Sequence, residues 1–184
     1  STDGHPPLLF YLAGTIPWNY FAGCLNRTSN TFVQNERLFG KVYFPRLIAP
    51  LSVVFSMMIQ LAIQLGLFLC LWVYYLGRGT LTPNWMLLPV MLPVLILLMG
   101  VLGLGTGIVI SSLTTKYRDA VFLVTFGVQL AMYATPVIYP MSAVPQRYAW
   151  FLRLNPMASI VESFRALFLG GPISWTGLAQ STLA

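Results

Sequence analysis

The sequence predicts an all-α integral membrane protein, a polytopic helical bundle that carries a re-entrant helical hairpin. Three observations lead there. First, 57% of the 184 residues are hydrophobic and only 8% are charged, about a third of the quarter usual in soluble domains. The mean hydropathy is +0.76. A soluble domain of this length has too much surface for its volume to hide such an apolar content, and a disordered chain has the opposite composition. Second, the few charges divide the chain into long uncharged stretches. Third, residues 140–171 break that rhythm, because they hold Pro140, Pro145 and Pro156 together with Arg147, Arg153 and Arg165.

The elements follow from the gaps between charges. Residues 6–26, 47–77, 79–115 and 120–146 contain no Asp, Glu, Lys or Arg, and a hydrocarbon core about 30 Å thick takes roughly 20 helical residues. The first span is expected at about 8–25. It is not a signal peptide, since no basic region precedes it and Trp18-Asn19 interrupts it. The second, at about 47–76, would be roughly 45 Å long and must tilt or project from the bilayer. The third, at about 85–113, carries Pro89 and Pro93 near its start, where proline is best tolerated. The fourth, at about 120–139, stops at Pro136 and Pro140. Two short amphipathic stretches follow, 146–154 and 156–169. They fit a helical hairpin dipping partway into the membrane or a pair of surface amphipathic helices. After Gly170-Gly171-Pro172 the chain turns apolar again, as the start of a last span at 173–184.

Ten basic residues against four acidic ones give a net charge of +6. No basic run with interleaved aromatics is present, so the excess is not a nucleic-acid surface. It reads instead as loop charge that sets membrane orientation. Arg27, Arg37, Lys41 and Arg46 share one side with Lys116 and Arg118, while Arg78, Arg147, Arg153 and Arg165 fall on the other. Residues 27–46 and 114–119 are therefore expected in the cytoplasm, with residue 1 outside. A chain that starts outside and ends within an apolar stretch is expected to be part of a longer protein, lacking an upstream helix and a complete final span.

Few residues offer chemistry. There is no G-x-x-x-x-G-K-[ST] phosphate loop, and a single His cannot build H-E-x-x-H or complete a zinc site with Cys24 and Cys70. The two cysteines read as reduced, helix-packing side chains. Gly103, Gly105 and Gly107 lie inside an apolar span rather than after a strand, so they are no dinucleotide fingerprint. Gly103 and Gly107, continued by Ser111, form a small-residue stripe on which another helix can sit closely. No Asp, Glu or His lies within the first four spans, which argues against a proton-coupled transporter or a membrane hydrolase.

Four groups of residues remain as candidates. Asn35-Glu36-Arg37-Leu38-Phe39-Gly40-Lys41 mixes charge with two large apolar side chains. It fits a short helix docking into a partner's groove or a solvated loop with orienting charges. Tyr117-Arg118-Asp119 opens the fourth span, where Asp119 suits the helix dipole and Arg118 can pair with it or with lipid phosphate. Trp18, Tyr20, Tyr74, Tyr75, Trp85, Tyr139, Tyr148 and Trp150 lie near span ends, as an interfacial belt places them, with Tyr133 deeper; an aromatic face also stacks on a sugar. Glu162 and Arg165, three apart on one helix, fit a structural ion pair or a substrate contact.

In this order the pieces Asn35-Glu36-Arg37, Lys41-Val42-Tyr43-Phe44-Pro45-Arg46, Tyr117-Arg118-Asp119, Thr135-Pro136-Val137-Ile138-Tyr139-Pro140, Leu154-Asn155-Pro156-Met157 and Arg165-Ala166-Leu167 resemble the permease subunit of type 2 ABC exporters. The likeness is to the branch that exports O-antigen, capsule and teichoic acid, and it covers nearly the whole chain. The resemblance implies six spans, an N-terminal amphipathic helix and a homodimer. It implies that residues 33–44, with Asn35, Glu36, Arg37, Leu38, Phe39 and Lys41, couple to a separate P-loop ATPase. ATP and Mg would bind there, and no cofactor on this chain. It makes 142–169 a re-entrant hairpin involving Pro140, Arg147, Asn155, Pro156, Glu162 and Arg165. It places Trp18, Tyr20 and Tyr133 along a channel for a lipid-linked glycan crossing the bacterial inner membrane. Export of a lipid or drug by the same kind of protein, or an integral membrane enzyme or scaffold without an ATPase, are the other readings.

Overall fold

The computed structural model describes residues 6–34, 47–79, 81, 83–117, 119–140, 155–171, 175 and 177–179. Among them five helices carry the architecture: α1 (Pro7–Gln34), α2 (Ile48–Leu76), α3 (Leu88–Lys116), α4 (Ala120–Ala134) and α5 (Pro156–Leu169). α2 and α3 are long and apolar enough to cross a membrane, and α4 is a shorter apolar helix. At 15 residues, α4 is about 22 Å long, less than a hydrocarbon core of about 30 Å.

α1 is the hub and packs against each of the other four helices, most extensively against α3. Its helix runs beyond the span expected at 8–25, through Arg27 to Gln34. Charge ends a membrane span but not a helix, because arginine is a good helix former. The later turns are held partly by side chains that bond back to the preceding turn: Ser29 Oγ to Asn26 O at 2.8 Å and Thr31 Oγ1 to Arg27 O at 2.7 Å.

α1 and α3 run parallel, and the small stripe on α3 is the seat of that contact. Gly100, Gly103, Gly107, Ser111 and Thr114 are its buried positions. A Cβ on Gly103 would come within 2.7 Å of Cys24 Cβ, and one on Gly107 within 2.6 Å of Thr28 Cβ. The absent side chains thus let the two backbones approach, as small residues do between membrane helices. Thr114 Oγ1 closes the seam with a 2.5 Å bond to Ser29 O. Cys24 is buried in this seam, as expected of a packing cysteine. Cys70 is exposed on α2 instead.

α2 buries a single stripe, Met57, Leu61, Phe68 and Trp72. Phe55, Ile59, Ile63 and Leu67 face outward, each more than 60% exposed. Such a large apolar outer surface is stable in lipid and not in water.

α5 is the surprise of the fold. Every residue from Met157 to Leu169 except Glu162 is buried, so it is not a surface amphipathic helix. It fills the end of the bundle where α1 and α3 begin and α2 ends. Phe68 lies 5.0 Å from Phe168, edge to face, and Trp72 Nε1 donates to Phe168 O at 2.8 Å. Asn84, just before α3, donates through its backbone N to Leu167 O at 3.3 Å and through Nδ2 to Ala166 O at 3.3 Å. Gly170 ends α5 at φ 94°, a left-handed position that favours glycine.

Candidate functional site

Between α1, α3 and α4, with the start of α5 at one end, lies a groove of about 340 Å³. Trp18, Phe21 and Leu25 of α1 form one wall, and Val124, Gly127, Val128 and Ala131 of α4 face them. Leu102, Thr106 and Ile110 of α3 complete the side; Asn155, Pro156 and Met157 close the end. Trp18 and Phe21 pack at 5.6 Å with rings tilted by 55°. The two polar side chains on the wall are already engaged. Thr106 Oγ1 donates to Leu102 O at 2.6 Å, and Asn155 Nδ2 donates to Thr135 Oγ1 at 2.9 Å. No lining residue titrates. Among the described residues, the groove offers apolar and aromatic surface with no ionisable side chain.

Next to the end of the groove, bonded to it through Asn155, lies a break in the backbone. α4 stops at Thr135, and residues 135–140 turn irregularly between Pro136 and Pro140. Non-helical backbone at membrane depth persists only where protein satisfies it. Arg165 of α5 does so here, and Asn155, the N-cap of α5, adds a side-chain bond to Thr135. Asn155 caps α5 by accepting from Met157 N at 3.0 Å, and its amide holds Thr135. Arg165, one of the buried polar residues, donates through one terminal nitrogen to Pro136 O at 2.7 Å and Tyr139 O at 3.4 Å. Its other terminal nitrogen donates to Val137 O. The guanidinium stacks on Phe10 of α1, 3.9 Å from the ring centre. Gly14 makes room for this, since a Cβ there would overlap both Val137 O and the guanidinium.

The residues expected to matter are thus distributed unevenly. Trp18 is on the groove wall. Tyr20 is not: it is buried in the α1–α3 seam, its hydroxyl 3.1 Å from where a Gly100 Cβ would be. It lies on the α1 face that meets the glycine stripe, and helical spacing sets it apart from Trp18. Tyr133 is 68% exposed on the outer side of α4, and its backbone oxygen accepts from Tyr139 Oη at 3.1 Å. Asn155, Pro156, Pro140 and Arg165 come together around the broken end of α4, with Glu162 one turn back on α5 and half-buried. Asp119 sits at the N-cap of α4, exposed and without a side-chain capping bond. Asn35, Glu36, Arg37, Leu38, Phe39, Lys41, Arg118 and Arg147 lie outside the described residues. Gly14, Phe10 and Thr135 were not foreseen. The signal for them was the pair of prolines after α4, which strands carbonyls that something must satisfy.

These features define a helical membrane protein with an apolar, aromatic-walled groove among its described helices. The family is narrower than that. A family model described as ABC-2 type transporter matches residues 3–169, and the chain belongs to that family. It is 28% identical over 91% of its length to an O-antigen export system permease protein RfbA of Klebsiella pneumoniae. It is 26% identical over 91% to another protein of that name from the same organism, and 30% identical over 86% to one from Myxococcus xanthus. The chain spans 62%, 62% and 60% of those three proteins.

Proposed function

We propose that the chain is the membrane-spanning permease part of an ATP-driven exporter that moves a lipid-linked polysaccharide of the O-antigen type across the bacterial inner membrane. The observation that carries this reading is the likeness to three export permeases over nearly all of the chain. The groove agrees with it. A carrier needs a wall that holds its cargo weakly and reacts with nothing, and aromatic faces such as Trp18 hold sugars by contact rather than by charge.

In this reading residues 33–44, which continue directly from α1, dock on a separate P-loop ATPase. That subunit binds ATP and Mg; this chain supplies no cofactor. A second copy of the chain completes the passage. Closure of the ATPase pair pushes on 33–44. α1, a continuous helix from the groove wall at Trp18 to Gln34, carries the push to the groove. Residues 142–169 form the re-entrant hairpin at the outer end. In support, α5 has only 14 residues, about 21 Å, and is buried at one end of the bundle.

The test is purification of the protein from its native membranes in mild detergent, with mass spectrometry of what accompanies it. A stoichiometric P-loop ATPase is expected, lost when Glu36 and Phe39 are both replaced by Ala, together with loss of polysaccharide at the cell surface. An intact complex without any ATPase would overturn the reading. Normal surface polysaccharide in a strain lacking the protein would leave the exporter but remove this cargo.

A further inference from the structure

We infer that Arg165 is a positioning residue: its guanidinium fork latches the broken end of α4 onto α1 and α5 and thereby sets the closed end of the groove. The inference rests on the contacts around residues 135–140 and is independent of which cargo the groove carries.

A buried arginine loses its hydration and must recover it from its surroundings. Here its terminal nitrogens meet the main chain. They go to three backbone carbonyls, those of Pro136, Val137 and Tyr139, and the flat face goes to Phe10. The carbonyls need the donors in turn. α4 is too short to cross the hydrocarbon by itself, and the prolines at 136 and 140 remove two N–H groups from the turn that follows it. The pairing is therefore mutual, a cation that needs acceptors meeting a helix end that exposes them. A helix C-terminus also carries the negative end of the macrodipole, which adds to the attraction.

The latch joins three helices at one point. Arg165 belongs to α5, the carbonyls follow α4, and Phe10 and Gly14 belong to α1. Asn155, at the other end of α5, holds Thr135 and also closes the groove. With both clamps made, the end of α4 cannot move away from α1 unless α5 moves with it. Lysine cannot substitute, because a point-like ammonium neither spans three carbonyls nor lies flat on a ring.

The test uses the whole protein in its native membranes, with Cys70 replaced by Ala. Ile138→Cys places a thiol on the turn, Gly127→Cys places one on the groove wall where a Cβ meets nothing, and Gly105→Cys gives a distant control on open α3 surface. Labelling rates by a membrane-permeant maleimide are compared in Arg165→Lys, Arg165→Met, Gly14→Ala and Phe10→Leu backgrounds. Opening of the latch is expected to raise labelling at positions 138 and 127 by about threefold or more, as local unfolding does, with position 105 unchanged. Arg165→Lys should behave like Arg165→Met. Wild-type labelling in Arg165→Lys would mean that charge alone suffices, and the latch would be wrong. If both Arg165 variants also raise labelling at position 105, they have lost the fold. The milder Gly14→Ala and Phe10→Leu then decide, and unchanged rates at 138 and 127 in both overturn the inference.

Discussion

Gly103, Gly105 and Gly107 lie one after another on α3 with unlike surroundings. A Cβ at 103 or 107 would press into α1, whereas one at 105 meets nothing within 4 Å. Gly→Ala at any of them gains the same helix propensity, about 1 kcal/mol, so a comparison isolates the contact. Gly107→Ala is expected to lower stability relative to Gly105→Ala by about 1–3 kcal/mol, the usual cost of overpacking. Thermal unfolding of the purified protein in detergent, followed by tryptophan fluorescence, reads the difference. Equal melting points would show that the α1–α3 seam is loose at Thr28. The stripe itself was legible in the sequence, because small residues four apart in an apolar span have one common use. The Arg165 site was not. Its partners include backbone carbonyls and a gap left by Gly14, neither of which a side-chain pattern records, whereas Glu162 three residues back is visible in the sequence.

α5 shows where reading by element stops. Pattern alone left 156–169 as either a surface amphipathic helix or half of a re-entrant hairpin, since its short polar and apolar alternation suits both. What buries it comes from far along the chain: Phe68 and Trp72 at the end of α2, and Asn84 before α3. The start of the helix, by contrast, was written locally, as Asn155 at the N-cap and Pro156 at the first position, a favoured pairing of residues. Asn155→Ala should cost about 0.5–2 kcal/mol and release Thr135 as well. Asn155→Ser keeps an oxygen for Met157 N but is too short for Thr135. Hydrogen exchange of the first-turn amides of α5 should therefore accelerate more in the Ala variant than in the Ser variant. Identical acceleration would mean that the bond to Thr135, not the cap, holds that end. α1 teaches the opposite lesson, because Arg27 bounds an expected span but not the helix, which runs on to Gln34.

At the scale of the molecule, helix order and spacing were readable because hydrocarbon thickness fixes how long an apolar run must be. Direction across the membrane is set by the placement of a few basic residues. α3, with 29 residues, is about 44 Å long, enough for its two ends to reach opposite faces of a bilayer. Met86, just before it, is 92% exposed, and Tyr117, just after it, is 57% exposed. The positive-inside pattern puts Lys116 and Arg118 in the cytoplasm and the α2–α3 connection, with α5 beneath it, outside. In a Cys70→Ala background, Met86→Cys should react with a membrane-impermeant maleimide in intact cells, and Tyr117→Cys only after the inner membrane is opened. The reverse result would invert the protein, moving the groove's closed end to the cytoplasm and removing any role for 33–44 in reaching an ATPase there. Reaction of both from one side would mean that α3 does not cross at all, and that its outward Val94, Leu97, Val101 and Val109 meet another protein surface rather than lipid.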